Sequence, residues 1–253
     1  MTQPLPSLVS TEWLAQELGA PDLVVLDASR HLPDAKRDPL AEYQAGHIPG
    51  ARFMGLASLT DATSSVPAAL PSPKQLSERL AELGVASDAR IVLYDDSAVK
   101  TAARAWFTLK AFGIAAAILD GGLAKWRSEG RDLEAGLPEI AAAEPMPLEA
   151  AQGVATKVEL LTNLDSNEEH EVLDARSADR VFGFGEDPVH GGQNGRIPGA
   201  LNLPFGGVFD ADGTYKSADD LLATFQAAGL DMTQPVVTSC GSGITASVLA
   251  FAL

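Results

Sequence analysis

The residue best suited to nucleophilic chemistry is the single cysteine, Cys240, in the run Cys240-Gly241-Ser242-Gly243-Ile244-Thr245-Ala246. It follows the apolar, β-branched stretch Val236-Val237-Thr238-Ser239 and opens an Ala-rich, helix-like segment, so it reads as a strand-to-helix loop. In an open α/β sheet such loops, at the carboxyl ends of the strands, are where ligands bind. Two glycines let successive N–H groups turn inward, and the start of a helix adds positive potential, a setting that favours a thiolate. A lone cysteine is otherwise a small packing residue, and the glycine-rich loop decides between the two readings. The same run excludes other chemistries. A cysteine phosphatase needs an arginine six positions after its cysteine, where this chain has Ala246, and no GxxxxGK phosphate cradle occurs. One thiol also forbids an intramolecular disulfide and a cysteine-rich metal site.

The elements that must hold this loop occur twice. In the first half an apolar strand, Leu23 to Asp27, is followed by the turn Gly46-His47-Ile48-Pro49-Gly50. Then come a helix from Lys74 to Leu83 stopped by Gly84, a strand from Ile91 to Tyr94, an Ala-rich helix from Thr101 to Phe112, a strand from Ala116 to Leu119, and a helix containing Trp126. The second half repeats the order: Glu171 to Asp174, Gly195-Arg196-Ile197-Pro198-Gly199, a helix near Asp219 to Ala228 stopped by Gly229, and Val236 to Ser239. Asp27 and Asp174, Pro49 and Pro198, Gly84 and Gly229 keep nearly constant spacing, which marks a duplication. Alternating strands and helices predict two tandem α/β domains, each a mostly parallel sheet with helices on both faces. Leu133 to Pro147, rich in Ala, Pro and Glu, reads as the linker, which places the domains at residues 1–140 and 141–253. In the repeat Cys240 falls opposite Asp95, so only the second domain can carry a thiol nucleophile. The strand and helix that follow the Ala-rich helix in the first copy would recur past Leu253. The expectation is a natively longer chain, or a partner over the apolar end Leu249 to Leu253.

Composition narrows the partners. The 253 residues include 18 Lys and Arg against 34 Asp and Glu, a net charge of −16, which repels nucleic acid and anionic lipid. Any anionic substrate must be held by a few local cations. No apolar run reaches the roughly 18 residues of a membrane span, and Met1 to Ser10 lacks a basic, apolar leader pattern, which predicts a cytoplasmic protein. Trp13, Trp106 and Trp126 fall on helix-like stretches and read as packing residues.

Together these residues resemble the 3-mercaptopyruvate sulfurtransferases, the two-domain branch of the rhodanese family. The resemblance rests on Cys240 to Ala246 and on Leu26-Asp27-Ala28-Ser29, Gly46 to Ala51, Ala103-Arg104-Ala105-Trp106, Asp120-Gly121-Gly122 and Ile197-Pro198-Gly199-Ala200, all in family order. It implies an inactive first domain, in keeping with Asp95, and an active second one. It also implies a cofactor-free, metal-free enzyme in which Cys240 takes sulfur from 3-mercaptopyruvate as a persulfide and releases pyruvate. A thiol, a thioredoxin-like reductant or cyanide then accepts the sulfur. The loop from Gly241 through Gly243, Ile244 and Thr245 would cradle substrate through its N–H groups. The family's Ser-His-Asp proton relay falls on Ser242, His47 and Asp38. Of two family arginines for the substrate carboxylate, Arg180 matches the first. The second falls at Val189 beside His190, so His190 or Arg196 is the candidate replacement. Thiosulfate-using relatives carry basic residues after the cysteine, whereas Gly241 and Ser242 are neutral and favour mercaptopyruvate. A thiosulfate sulfurtransferase and a non-turnover sulfur carrier are the alternatives.

Overall fold

A computed structural model describes residues 5–66, 68–166, 170–183 and 194–253. Contacts divide the chain into two compact units. The first takes the chain up to Gln152 together with Asp212–Thr214, and the second runs Gly153–Ala211 and Tyr215–Leu253.

The first unit contains β1 (Leu8–Val9), α1 (Thr11–Glu17), β2 (Leu23–Asp27), α2 (Pro39–Ala45), β3 (Arg52–Phe53), α3 (Pro73–Glu82), β4 (Arg90–Tyr94), α4 (Ala102–Ala111), β5 (Ala117–Leu119) and α5 (Gly122–Ser128). Its five strands are ordered β1-β5-β4-β2-β3, and every pairing is parallel. The continuous apolar runs of β2 and β4 suit a sheet covered on both sides: Val24 to Asp27 and Ile91 to Tyr94 are all buried. Leu14, Val25, Val92, Tyr94, Leu119, Leu123 and Trp126 form one core cluster. Trp106 is buried as well, and the Trp126 indole N–H donates to the Asp132 carbonyl, so both are packing residues.

Helix ends follow local chemistry. Ser72 caps α3 by accepting the Gln75 N–H, with Pro73 in the first turn. Gly121 and Gly122 both take left-handed φ, and a Cβ on Gly122 would stand 2.6 Å from the Asp95 carbonyl oxygen. The Asp120-Gly121-Gly122 motif is therefore the close approach of α5 to the loop after β4, joined by Leu123 N–H to Asp95 O at 3.1 Å.

The second unit contains α6 (Lys157–Ser166), β6 (Glu171–Asp174), α7 (Ala178–Val181), β7 (Leu201–Asn202), α8 (Ala218–Ala227), β8 (Val236–Ser239) and α9 (Ile244–Ala252). Its three strands are parallel in the order β7-β6-β8. This matches β3-β2-β4 of the first unit. Equivalent bonds repeat across the copies: Ala28 N–H to Tyr94 O and Ala175 N–H to Ser239 O are both 2.8 Å. Among the described residues no helix is long and apolar enough to cross a membrane.

The division after Gln152 lies later than the expected boundary at residue 140. The Ala-, Pro- and Glu-rich segment is bonded along the first unit: His47 and Glu134 exchange backbone bonds, Ala143 N–H donates to Ala81 O, Ser77 Oγ to Met146 O, and Gln152 N–H to Ala111 O. Composition alone reads as a linker, but backbone groups do not depend on side-chain hydrophobicity to find partners.

Candidate active site

Asp174 on β6 pairs with Ser239 on β8 just as Asp27 on β2 pairs with Tyr94 on β4. The residue after β8, Cys240, therefore occupies the place of Asp95, as the repeat predicts. Cys240 is half-buried. The Gly243 N–H donates to its Sγ at 3.1 Å, well inside the range for a sulfur acceptor. Gly243 reaches that position at φ +76°, a left-handed conformation in which a side chain is strained. It is the N-cap of α9, whose first residue is Ile244, so the sulfur sits at the positive end of a nine-residue helix. Of the two loop glycines, only Gly243 has left-handed φ. Ser242 and Thr245 are half-buried, and Ile244 is buried, so Ile244 can offer substrate only its backbone.

The first unit shows what the same loop does with an oxygen anion. Asp95 is buried, and its Oδ2 accepts the N–H groups of Ser97 (3.0 Å) and Thr101 (2.9 Å). Burial pushes its carboxyl up to about 6, a rise opposed by the charge of Lys100 and by those N–H donors. The nest in the first unit is filled by its own side chain. Asp96 next to it is held by Arg37 (3.0 Å) and Arg127 (3.2 Å).

The segment after β6 leaves the strand next to β8, where the Ala175 N–H donates to the Ser239 carbonyl. Arg176 grips Asp174 through Nε and Nη2 (3.0 and 2.7 Å), with the carboxylate buried. Its Nη2 also donates to the Gly195 carbonyl, and Asn202 Nδ2 donates to the carbonyls of Asp174 and Arg176. The Gly195 N–H returns to the Arg180 carbonyl (2.9 Å). The exposed Arg196 guanidinium lies over the Phe182 ring at 4.9 Å. Half-buried Arg180 on α7 and Arg196 are thus carried on two segments bonded to each other, beside the strand neighbouring Cys240. His190 falls outside the described residues.

Of the residues expected to form a relay, His47 and Asp38 belong to the first unit and Ser242 to the second. Asp38 is the exposed N-cap of α2, its Oδ1 accepting the N–H groups of Leu40 and Ala41. His47 lies past the other end of α2, wholly buried and stacked on Tyr43 at 4.0 Å. Its Nδ1 meets the Tyr43 carbonyl at 2.8 Å and so carries a proton there, and Nε2 is buried with no partner among the described residues. Asp38 and His47 are therefore not bonded to each other through Nδ1, the bond a Ser-His-Asp relay would use. Residues the sequence reading passed over are Asp174 and Arg176, legible as an Asp-x-Arg pair at a strand end, and Phe182 and Ser247, which carry no sequence signal of their own.

A parallel α/β unit present twice, with a thiol at the mouth of only the second, defines a class of sulfur-handling domains. A family model of the rhodanese-like domain matches residues 10–129 and 156–253, and the chain belongs to the rhodanese family, in the two-domain branch that includes the 3-mercaptopyruvate sulfurtransferases. It is 36% identical over 247 residues to the 3-mercaptopyruvate sulfurtransferase of Escherichia coli K12, covering 97% of this chain and 87% of that one. It is 35% identical to the human 3-mercaptopyruvate sulfurtransferase, covering 95% and 83%. The crystal structure of the Escherichia coli 3-mercaptopyruvate sulfotransferase SseA matches with a TM-score of 0.87 at 35% identity, over 98% of this chain and 93% of that one.

The buried Asp95 makes stability depend on pH. Its native carboxyl titrates near 6 against 3.8 for the unhindered group. Its contribution is therefore full below about pH 4 and is lost as the pH rises through 6, by roughly 1 to 3 kcal/mol. Asp95→Asn should flatten this part of the profile, read as a smaller change in urea midpoint between pH 5 and pH 7.5 than in the parent chain.

Proposed function

We propose that the protein is a 3-mercaptopyruvate sulfurtransferase with Cys240 as its nucleophile. The observation that carries this reading is the Gly243 N–H directed at Sγ from the start of α9. A thiolate held there attacks the sulfur of 3-mercaptopyruvate. The carbon–sulfur bond breaks with its electron pair going to carbon, the enolate of pyruvate takes up a proton, and the added sulfur stays on Cys240 as a persulfide. The Gly243 amide is directed at the sulfur, and it is assigned, with the Ile244 amide, to stabilise both the thiolate and the persulfide anion. A thiol, a thioredoxin-like reductant or cyanide then removes the outer sulfur. No cofactor or metal enters these steps.

Ser242, in the loop itself, is assigned the proton delivered to the enolate, and His47 is assigned a part in the same relay. Asp38 is assigned a weaker part, because its carboxylate already caps α2. Arg180 and Arg196 are assigned the donor carboxylate, which an acidic chain must bind with local cations. Phe182 favours Arg196 over His190 as the second cation, since the ring gives the guanidinium a fixed seat. We assign the reaction to the cytoplasm, although one similar protein, from Arabidopsis thaliana, is named as mitochondrial.

A second reading has its own support. The chain is 33% identical to the thiosulfate sulfurtransferase of Mus musculus, over 97% of this chain and 85% of that one. Comparing kcat/KM for 3-mercaptopyruvate and thiosulfate decides between the donors. Neutral Gly241 and Ser242 predict that mercaptopyruvate is preferred.

Intact mass after incubation with 3-mercaptopyruvate should rise by one sulfur, with repeated pyruvate release once an acceptor is added. Cys240→Ser should abolish both. A single stoichiometric transfer without turnover would make the chain a carrier instead. Arg180→Ala should raise KM for 3-mercaptopyruvate roughly 10- to 100-fold, the loss of one charge-assisted contact, and an unchanged KM would remove Arg180 from the site.

A further inference from the structure

We propose that Ser247, one turn into α9, is a positioning residue for the Cys240 loop, an inference that rests on the reading of Cys240 as a thiolate nucleophile. The side chain of Ser247 is buried, and its Oγ donates to the Gly243 carbonyl at 2.6 Å. The backbone N–H of the same residue reaches that carbonyl at only 3.3 Å, a long first bond for a helix. Gly243 has left-handed φ and no side-chain cap, so little else holds the plane of its following peptide. That plane joins the Gly243 carbonyl to the Ile244 N–H, which points the opposite way, out of the amino end of the helix.

Anchoring the carbonyl with two donors fixes the Ile244 N–H toward the loop. It also fixes the ψ of Gly243, and with it the direction of the Gly243 N–H that meets Sγ at 3.1 Å. Back-bonding by a helical serine is ordinarily neutral or slightly unfavourable. At this position it has a use, because the carbonyl it holds belongs to the residue whose amide bonds the sulfur. Ser247 touches neither donor nor sulfur, and acts through Gly243.

The elements packed on α9 and β8 add few charges that could mimic the effect. β8 and the turn at Phe205–Val208 have no ionisable side chain, and on β6 Asp174 faces Arg176, with Glu171 at the far end of the strand. Arg180 on the neighbouring α7 remains unchanged in each variant below.

The test compares the parent chain with Ser247→Ala and Ser247→Thr. Alanine is the strongest helix former and leaves the α9 backbone favoured, which circular dichroism checks. In the alanine variant, alkylation of Cys240 by iodoacetamide at pH 7 should slow about 3- to 10-fold, the factor for one hydrogen bond, and should recover toward the parent rate as pH rises to 9. kcat for pyruvate release should fall by a similar factor with KM within about two-fold, since no substrate contact is lost. The threonine variant, which keeps the hydroxyl, should regain most of both rates. Amide exchange at Gly243 and Ile244 should be faster in the alanine variant than in the parent chain. Parent-like alkylation and turnover in Ser247→Ala would overturn the proposal, as would a threonine variant impaired as much as the alanine one. Alkylation needs no sulfur donor, so a parent chain that releases no pyruvate would defeat the proposed activity while leaving the role of Ser247 still measurable.

Discussion

The bond from the Gly243 amide to the Cys240 sulfur is the constraint on which the rest depends. It exists because a parallel strand ends in Ser239, the chain turns through a left-handed glycine, and a helix begins at once. Each part can be traced to residue type. Val236 to Ser239 are β-branched or small, Gly243 lacks a Cβ, and Ile244 to Ala252 supply an apolar helix that packs against β8 and the Phe205–Val208 turn. Removing any one would move the amide away from the sulfur. A sulfur anion is large and polarisable, so half-exposure and directed N–H groups suit it where a carboxylate needs full hydrogen bonding.

The duplicated unit gives an internal comparison. Where the second unit has Cys240, the first has Asp95, buried and satisfied by the amides of Ser97 and Thr101. Backbone N–H groups are directed at the side chain in both copies, and what differs is whether that side chain is reactive. The strand-end carboxylates diverge too. Asp174 is locked by Arg176, which reaches on to Gly195 and so braces the segment carrying Arg196. Its counterpart Asp27 has Ser29 two residues on and no such arginine, and burial raises its carboxyl above the usual range. In the second copy Arg176 makes this brace, whereas the first uses Arg37 and Arg127 to hold Asp96.

Much of this could be read from residues alone. The strands Leu23–Asp27, Glu171–Asp174 and Val236–Ser239, the stop at Gly84 and the pairing of Asp95 with Cys240 follow from apolar runs and constant spacing, signals that local sequence carries well. The two-residue strands Leu8–Val9, Arg52–Phe53 and Leu201–Asn202 did not, because strands that short are created by a neighbour's edge rather than by their own pattern. The domain boundary was misplaced for a related reason. Residues between Glu134 and Gln152 are held by backbone bonds to Gln44, His47, Ala81 and Ala111, which composition does not encode. At the site, the strand-to-helix loop of Cys240 was legible and its supports were not. Ser247, Phe182 and the Asp174–Arg176 pair matter through whom they touch, and Asp38 also serves as the cap of α2.

The most direct test of the central claim compares the rate of Cys240 alkylation in the folded chain with that in the same chain unfolded by urea, both at pH 6, where an ordinary thiol is almost wholly protonated. The folded chain should react faster per mole of thiol, because the Gly243 amide and the start of the helix are directed at the reacting sulfur. A folded chain that reacts more slowly than the unfolded one would contradict the claim.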